Sequence, residues 1–331
     1  ARQDRLTYGE EEHFALEGFS RMKRLACAVM VGLCMAGAAW AGPAVYFTGE
    51  IGANPDLYRI DLESMKVARL TTASSAEMQP TVSANGKTVA FVSDAGGASS
   101  LYLMQSELPE APWKNFAIGM GAYAHPAFSP DGAQIAVSYA PDPEAPLMNT
   151  CLAIVDVNAR TQKIVLEGKD VQPGHEGNDG PILVLDRPQW LDATNLVFAA
   201  LEYADAESGR LTSATLYRMN LSDKTVVRLA GGESYFDEKG VPRGFKASVP
   251  WCAADGALIT FSAIQGHLDR TPMSMTADAK NKRVLPIKDE DYWGPAIQVG
   301  GEYLYGFRDD EGRLRLALTA NGGKIGRASC R

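Results

Sequence analysis

A short unit recurs five times along this chain, and its repetition limits the possible folds more than any other feature of the sequence. Each copy has a proline, an apolar or aromatic residue two positions later, a turn, and an apolar run typical of a buried strand. In the copy at residues 126–139, Ser129-Pro130-Asp131-Gly132 predicts a tight turn. Proline presets φ, aspartate bonds back to the local backbone, and glycine tolerates a positive φ. The copies begin at Pro80, Pro126, Pro188, Pro250 and Pro295.

A second motif alternates with the first. It is a short strand that often reads Leu-Tyr and ends in a polar turn, and an outer strand usually follows it. Its copies begin 41 to 64 residues apart, at Leu57, Leu101, Leu152, Leu216, Met273 and Leu314. Each repeat therefore has four strands, here named A to D, and no helical periodicity separates the repeats. This pattern predicts an all-β fold, a six-bladed β-propeller of four-stranded antiparallel blades. A β-sandwich of unrelated hairpins is the alternative.

The first 41 residues read as two segments outside the fold. Residues 22–41 have a basic start, an apolar run and the Ala39-Trp40-Ala41 cleavage pattern, which predicts a signal peptide. A transmembrane anchor is the alternative, but the apolar run is too short to span a bilayer. Residues 1–21 lack an initiator methionine and are interpreted as translated upstream sequence. We therefore expect the mature chain to begin at Gly42.

The C-terminal segment is also interpreted as foreign to the fold. Residues 324–331 resemble the translation of a common sequencing-library adapter. We therefore assign residues 42–323 to the propeller and expect it to be truncated in its last blade. In this interpretation strand D of blade 6 and strand A of blade 1 are missing.

The repeats resemble those of a known family. The Ser-Pro-Asp-Gly turn, the Leu-Tyr strand and the Leu-Thr pair that closes the outer strand are similar to TolB-like propeller repeats, which also occur in prolyl-oligopeptidase-like enzymes. The resemblance covers residues 43–323 and implies the propeller fold. TolB also has an α/β domain before its propeller. Leu57 lies too close to the predicted cleavage site for such a domain, so the chain resembles a TolB-like propeller without it.

Composition excludes several classes of function. The chain has 32 Lys and Arg against 40 Asp and Glu, a net charge of −8, and no basic cluster that would predict nucleic-acid binding. Four histidines leave little material for a transition-metal site, and no nucleophile-elbow or zinc-protease motif occurs. We predict no catalytic residue, no metal and no cofactor. Cys151 and Cys252 are expected to be small buried hydrophobes on different blades, without a disulfide.

The long connections predict a binding face. In an A–B–C–D meander, the B–C and D–A connections lie on one face, and the A–B and C–D turns lie on the other. Per-repeat insertions on one face of a repeat protein often mark its binding surface. Most long connections fall on the first of these faces, at residues 140–150, 168–186, 202–214 and 231–248, and the exception is the C–D turn at residues 106–112.

A candidate site lies at the mouth of the central channel on that face. The residue before each strand A proline is expected there, in an extended conformation that proline imposes on its predecessor. A polar and aromatic set occupies these and the preceding positions, which predicts a binding site; a capping ring without a ligand is the alternative. The predicted site residues are Gln79, His125, Asp186, Arg187 and Trp293.

Together these features predict an exported bacterial protein, periplasmic or secreted, without enzymatic activity. We expect a monomer with no membrane span after signal cleavage and no nucleic-acid partner. It would bind a protein or a cell-envelope component through its long-loop face. The alternative is the propeller domain of an exported hydrolase or lyase, either a prolyl-oligopeptidase-like peptidase or a polysaccharide-active enzyme.

Overall fold

The protein folds into six antiparallel sheets arranged as a β-propeller, which confirms the predicted fold. The computed structural model describes residues 34–35, 44–50, 54–64, 66–109, 111–144, 150–171, 182–204, 211–236, 242–265, 269–287, 292–299, 301–308, 314–320 and 325–327. Within each sheet the strands pair as neighbours in chain order. Every blade is therefore a simple meander, as the repeat predicts.

The first three blades have four strands each. Blade 1 contains Cys34–Met35 (β1), Ala44–Glu50 (β2), Pro55–Asp61 (β3) and Val67–Arg69 (β4). Blade 2 contains Glu77–Val82 (β5), Thr88–Ser93 (β6), Ser100–Gln105 (β7) and Lys114–Asn115 (β8). Blade 3 contains Ala122–Phe128 (β9), Gln134–Ala140 (β10), Cys151–Asp156 (β11) and Thr161–Leu166 (β12).

The last three blades include the longest strands, and blade 5 has an additional strand. Blade 4 contains Ile182–Trp190 (β13), Asn195–Tyr203 (β14), Leu211–Asn220 (β15) and Val226–Ala230 (β16). Blade 5 contains Glu233–Phe236 (β17), Pro242–Cys252 (β18), Leu258–Gln265 (β19), Asp269–Thr276 (β20) and Arg283–Val284 (β21). Blade 6 contains Tyr292–Val299 (β22), Glu302–Arg308 (β23), Leu314–Ala320 (β24) and Ile325–Arg327 (β25).

Short strands occupy the two positions that we expected to be missing, and both come from segments that the sequence analysis assigned outside the propeller. β1 pairs with β2 through Cys34 and Met35, and β25 pairs with β24 along three residues. Blade 6 therefore has three long strands and one short outer one. The first and last blades remain the least developed of the six, since their outermost pairings involve only two and three residues.

The Ser-Pro-Asp-Gly turn forms as the sequence predicts. Ser129 Oγ lies 2.6 Å from Asp131 Oδ1, and the N–H of Ala133 donates to the same oxygen at 3.0 Å. Gly132 has a φ of +73°, which glycine adopts at little cost. This turn joins β9 to β10, and the same positive φ recurs in the corresponding turns at Gly86 and Gly256.

The Leu-Tyr motif explains part of the core. In three blades its tyrosine pairs across strands B and C with a fully buried phenylalanine. The rings stack with centroids 5.6 to 5.8 Å apart, a geometry that stabilises the pair beyond area burial alone. The pairs are Phe47–Tyr58, Phe91–Tyr102 and Phe198–Tyr217. The same strand B position holds Phe261 and Tyr305 in blades 5 and 6, also fully buried.

Two of the four long connections contribute residues to strands, which corrects the expectation of loops there. The described ends of the 202–214 segment extend β14 and β15, which pair as far as Tyr203 and Leu211. Residues 231–248 form the hairpin between β17 and β18, in which Glu233 pairs with Phe245. The 168–186 segment begins with a four-residue helix, Gly168–Val171 (α1), and ends inside β13. Blades 4 and 5 consequently rise above the others on this face.

Cys151 on β11 and Cys252 on β18 are free and buried, as predicted. In the part of the chain that the structure describes, no helix has the length and apolar character needed to cross a membrane.

Candidate functional site

A β-bulge interrupts strand A in blades 2 to 6, and each bulge contains the X-Pro pair singled out in the sequence. The register between strands A and B shifts between Met78 and Thr81, and the same irregularity recurs in the next four blades. A bulge adds a residue to one strand and redirects the side chains around it. The bulges therefore determine what faces the channel mouth.

The residues before the prolines are not extended, which corrects the expectation from the sequence. Each has a positive φ, between +48° and +88°. For a residue other than glycine this conformation is strained, and the following proline alone would favour an extended one. The bulge overrides that preference because it recurs at one position of a packed sheet. The residues are Gln79, His125, Arg187, Val249 and Gly294.

Hydrogen bonds from the preceding blade hold these bulges. The N–H of Gln79 donates to Thr48 Oγ1 at 3.0 Å, and the N–H of Arg187 donates to Ser138 Oγ at 3.2 Å. Ser262 Oγ instead donates to the carbonyl of Gly294 at 2.9 Å. These three hydroxyls stand at one position of strand B, in blades 1, 3 and 5. They satisfy backbone groups that would otherwise be buried without a partner.

Gln79 takes the place of a hydroxyl between blades 2 and 3. Its Oε1 accepts the N–H of His125 at 2.6 Å, because the corresponding strand B residue of blade 2 is Val92. The Gln79 side chain is thus committed to holding the next blade, and the residue is only 8% exposed. Gln79 therefore supports the site rather than offering its side-chain oxygen to a ligand.

Three of the predicted site residues come together as a charged cluster. His125 Nδ1 lies 2.7 Å from Asp186 Oδ1, although the contact is poorly aligned for a hydrogen bond. Arg187 Nε lies 3.2 Å from Asp186 Oδ2. Asp186 thus lies between a histidine of blade 3 and the adjacent arginine of blade 4. The Arg187 side chain is 24% exposed, the most of the three. We refer to these residues as the mouth cluster.

The mouth cluster shifts the pKa values of its own members. Burial alone would raise the pKa of Asp186, but the charges of His125 and Arg187 and a hydrogen bond from the Arg187 backbone lower it to about 2. Burial lowers the pKa of His125, and the charge of Arg187 lowers it further, against the opposing effect of Asp186. At neutral pH the cluster therefore contains a carboxylate, a guanidinium and a neutral imidazole.

Tyr203 is a neighbour of this cluster that the sequence analysis missed. It ends β14, where it pairs with Ile182. Burial raises the pKa of its hydroxyl, and the charge of Asp186 raises it further against that of Arg187. Lys246 of blade 5 reaches across to blade 4, where its Nζ donates to the carbonyl of Leu211 at 2.7 Å. Only a correct assignment of Glu202 and Tyr203 to strand β14 would have placed Tyr203 beside Asp186.

Trp293 lies in β22, where it pairs with Gly306, and its side chain lies outside the described residues. The equivalent bulge positions of blades 5 and 6 hold Val249 and Gly294. Among the described residues at these positions, the polar side chains are therefore those of blades 2 to 4. Among the described residues there is no group of three His, Cys, Asp or Glu that could hold a metal ion.

The lowered pKa of His125 predicts a pH dependence of stability. Because the unfolded chain binds this proton more readily than the folded one, stability should fall as the pH drops below the ordinary histidine pKa of 6.5. We expect the urea midpoint to decrease between pH 7.5 and pH 5 less in His125→Gln than in the wild type. The difference between the two proteins gives the contribution of His125 apart from that of the other histidines. Equal decreases of the midpoint in the two proteins would contradict a lowered pKa of His125.

No protein-family model matches the sequence, and no curated protein is similar enough to be detected from sequence. Solved structures do share the fold. A TolB protein from Agrobacterium tumefaciens is 15% identical, with a TM-score of 0.52 over 76% of this chain and 79% of that one. An oligogalacturonate lyase in complex with manganese is 12% identical, with a TM-score of 0.56 over 93% and 86%.

A puromycin-hydrolysing peptidase from Mycobacterium tuberculosis is 16% identical, with a TM-score of 0.60 over 96% of this chain. The match spans only 49% of that peptidase. Identities this low establish the architecture and leave the activity open. The chain is therefore a six-bladed β-propeller with a TolB-like fold, which lyases and peptidases also share.

Proposed function

We propose that the protein is an exported, non-enzymatic propeller that binds a protein or a cell-envelope component at the channel mouth of its long-loop face. The mouth cluster carries this proposal. Its side chains come from two blades, a third blade braces it through Gln79, and every one of these positions lies in a strained bulge or next to one. Backbone strain that a fold retains is often associated with function.

The chemistry of the mouth suits recognition of a polar group. Arg187 presents a guanidinium, which binds carboxylates and phosphates in a fixed geometry. Asp186 orients that guanidinium and is itself only 9% exposed. The raised strands of blades 4 and 5 flank this side and would shield a bound group from water. The signal-peptide pattern of residues 22–41 supports a location outside the cytoplasm.

Replacement of Arg187 tests the proposal. We expect Arg187→Ala, immobilised as the folded protein, to retain its envelope partner at least 10-fold more weakly than the wild type, since an arginine at a binding hot spot contributes more than about 1.4 kcal/mol. Lys87→Ala is the control, because it removes an equal charge from an exposed turn on the opposite face. Equal losses in both variants, or none in either, would count against the mouth as the binding site.

The alternative is a propeller domain of a hydrolase or a lyase. The observation behind this alternative is that a lyase and a peptidase share the fold. Incubation with oligogalacturonate, with and without manganese, followed by mass spectrometry of the products would reveal a lyase. For the peptidase, the genomic sequence downstream of Gly323 should encode a second domain with a nucleophile elbow. Turnover in the first assay, or such a domain, would replace the proposal of a binding protein.

A further inference from the structure

A second polar cluster lies outside the mouth cluster, where blade 1 meets blade 2. Two carboxylates form its centre: Asp56 on β3, which is 1% exposed, and Glu77 at the start of β5, which is 0% exposed. Carboxylates are rarely buried this completely without a positive partner. For each of the two carboxylates, the neighbouring groups decide whether its charge is balanced.

Asp56 has a full set of partners. Arg69 Nη2 lies 2.6 Å from Asp56 Oδ2, and Thr71 Oγ1 donates to Oδ1 at 3.2 Å. The Thr71 hydroxyl also accepts the N–H of Leu57 at 2.9 Å. The positive charge of Arg69 therefore balances Asp56 and cannot also neutralise Glu77.

Only one of the two carboxylate oxygens of Glu77 has hydrogen-bond partners. Its Oε1 accepts the hydroxyls of Ser75 at 2.5 Å and Ser93 at 3.1 Å, whereas the buried Oε2 has no hydrogen-bond partner. Burial raises the pKa of Glu77, and the charge of Asp56 raises it further, against the hydroxyls of Ser75, Ser93 and Thr71. No basic side chain of the described chain forms an ion pair with Glu77. An unpaired anion here would be costly, so a positive charge is missing from the site.

We propose that Glu77 and the hydroxyls around it bind a monovalent alkali cation, Na⁺ or K⁺. All the donors are oxygen atoms, which suits a hard cation. The two carboxylates and Arg69 sum to a single negative charge, which one monovalent ion neutralises. Within the described residues no third acidic or imidazole ligand is near, as a divalent site would require. This inference is independent of the proposed binding function at the mouth.

The cation would join blade 2 to the connection that enters it from blade 1. Ser75 belongs to the connection between them, and Ser93 ends β6 opposite Glu77. A ligand that binds only the folded state stabilises that state in proportion to its free concentration. Cation binding should therefore appear as a dependence of stability on the identity of the salt, at constant ionic strength.

Thermal unfolding in NaCl, KCl, CaCl₂ and choline chloride of equal ionic strength tests the site. We expect the wild type to unfold about 3 °C higher in NaCl or KCl than in choline chloride. Glu77→Gln should lose this difference, because the amide carries no charge. Glu63→Gln should keep it, since it removes an exposed carboxylate of the first blade.

Three results would overturn the proposal. They are equal unfolding temperatures in the sodium, potassium and choline salts, a difference that survives in Glu77→Gln, and stabilisation by calcium alone. The first would mean that a proton neutralises Glu77, and the last that the site is divalent. If Glu77→Gln does not fold, ²³Na relaxation of the wild-type protein provides the answer. Line broadening that KCl reverses and choline chloride does not supports the site, and its absence overturns it.

Discussion

Asp186→Ala should lower the free energy of unfolding by about 3 kcal/mol, the largest effect we expect from a single replacement in the mouth cluster. The change leaves His125 and Arg187 facing each other without the carboxylate that lies between them. Removing one partner from a buried ion pair typically costs about 3–5 kcal/mol. We expect the lower end of that range because Arg187, at 24% side-chain exposure, can recover water. Urea denaturation at pH 7 measures the change.

Two comparisons test this explanation. Asp278→Ala breaks an ion pair with Lys280 at 3.0 Å, but on the surface, where solvent screens it, and it should change stability little. Arg187→Ala introduced into Asp186→Ala removes the guanidinium that has lost this carboxylate, so the two replacements should not be additive and the double variant should lose less stability than the sum of the single variants. A loss in Asp186→Ala no greater than in Asp278→Ala would show that water reaches the cluster.

Acid unfolding should depend on the same carboxyl. The pKa of Asp186 is lowered from its ordinary 3.8 to about 2 in the folded protein. Its contribution to stability is therefore complete above pH 3.8 and is lost as the pH falls towards 2. The difference in stability between the wild type and Asp186→Ala should shrink over this interval, and a constant difference would contradict the assignment.

The fold could be predicted because every blade carries its own local signals. The turn at Ser129–Gly132 and the Leu-Tyr strands each specify a short structure independently of the rest of the chain. Their spacing then limits how many blades there are. The stacked Phe47–Tyr58 pair shows the physical reason for the Leu-Tyr motif, since that tyrosine covers the buried ring of the neighbouring strand.

The mouth cluster could be predicted only in part. The X-Pro pairs pointed to residues that do come together, since His125 and Arg187 both contact Asp186. The predicted extended backbone conformation was wrong. The preference of a residue before proline is local, whereas pairing with strand B imposes the bulge. The hydroxyl of Ser138 that holds Arg187 lies 49 residues away in sequence. No local pattern identifies such a partner.

The extended strands of blades 4 and 5 could not be predicted for a related reason. Residues 202–214 contain glycine, serine and acidic residues, which are typical of loops. In the fold the described ends of this segment, residues 202–203 and 211–214, pair across the sheet beyond the bulge, where cross-strand partners outweigh weak strand propensity. Tyr203 was overlooked because its place beside Asp186 depends on this pairing.

Gly231 lies where blade 4 passes into blade 5. Among the glycines of the described chain that have a matched control, it should be the one whose substitution destabilises the protein most. Gly231 has a φ of +95°, and a Cβ there would lie 2.4 Å from the carbonyl oxygen of Ala214 and 2.9 Å from Thr215 Cα. Both contacts are backbone atoms of β15, so a rotamer change cannot relieve them. Gly97 has nearly the same φ, +98°, and nothing within 4 Å of its Cβ position.

Gly97→Ala should therefore cost about 1 kcal/mol, from the positive φ alone. Gly231→Ala should cost about 3 kcal/mol, because forcing a methyl group against fixed backbone adds roughly 1–3 kcal/mol to the same conformational strain. Urea unfolding of both variants gives the difference directly, and hydrogen exchange at Leu216, which pairs with Ala230, would show whether β16 separates from β15. Equal losses would mean that the chain after β16 shifts freely. In that case the hairpin of β17 and β18 would not be fixed against blade 4, and the raised wall beside the mouth would be free to move.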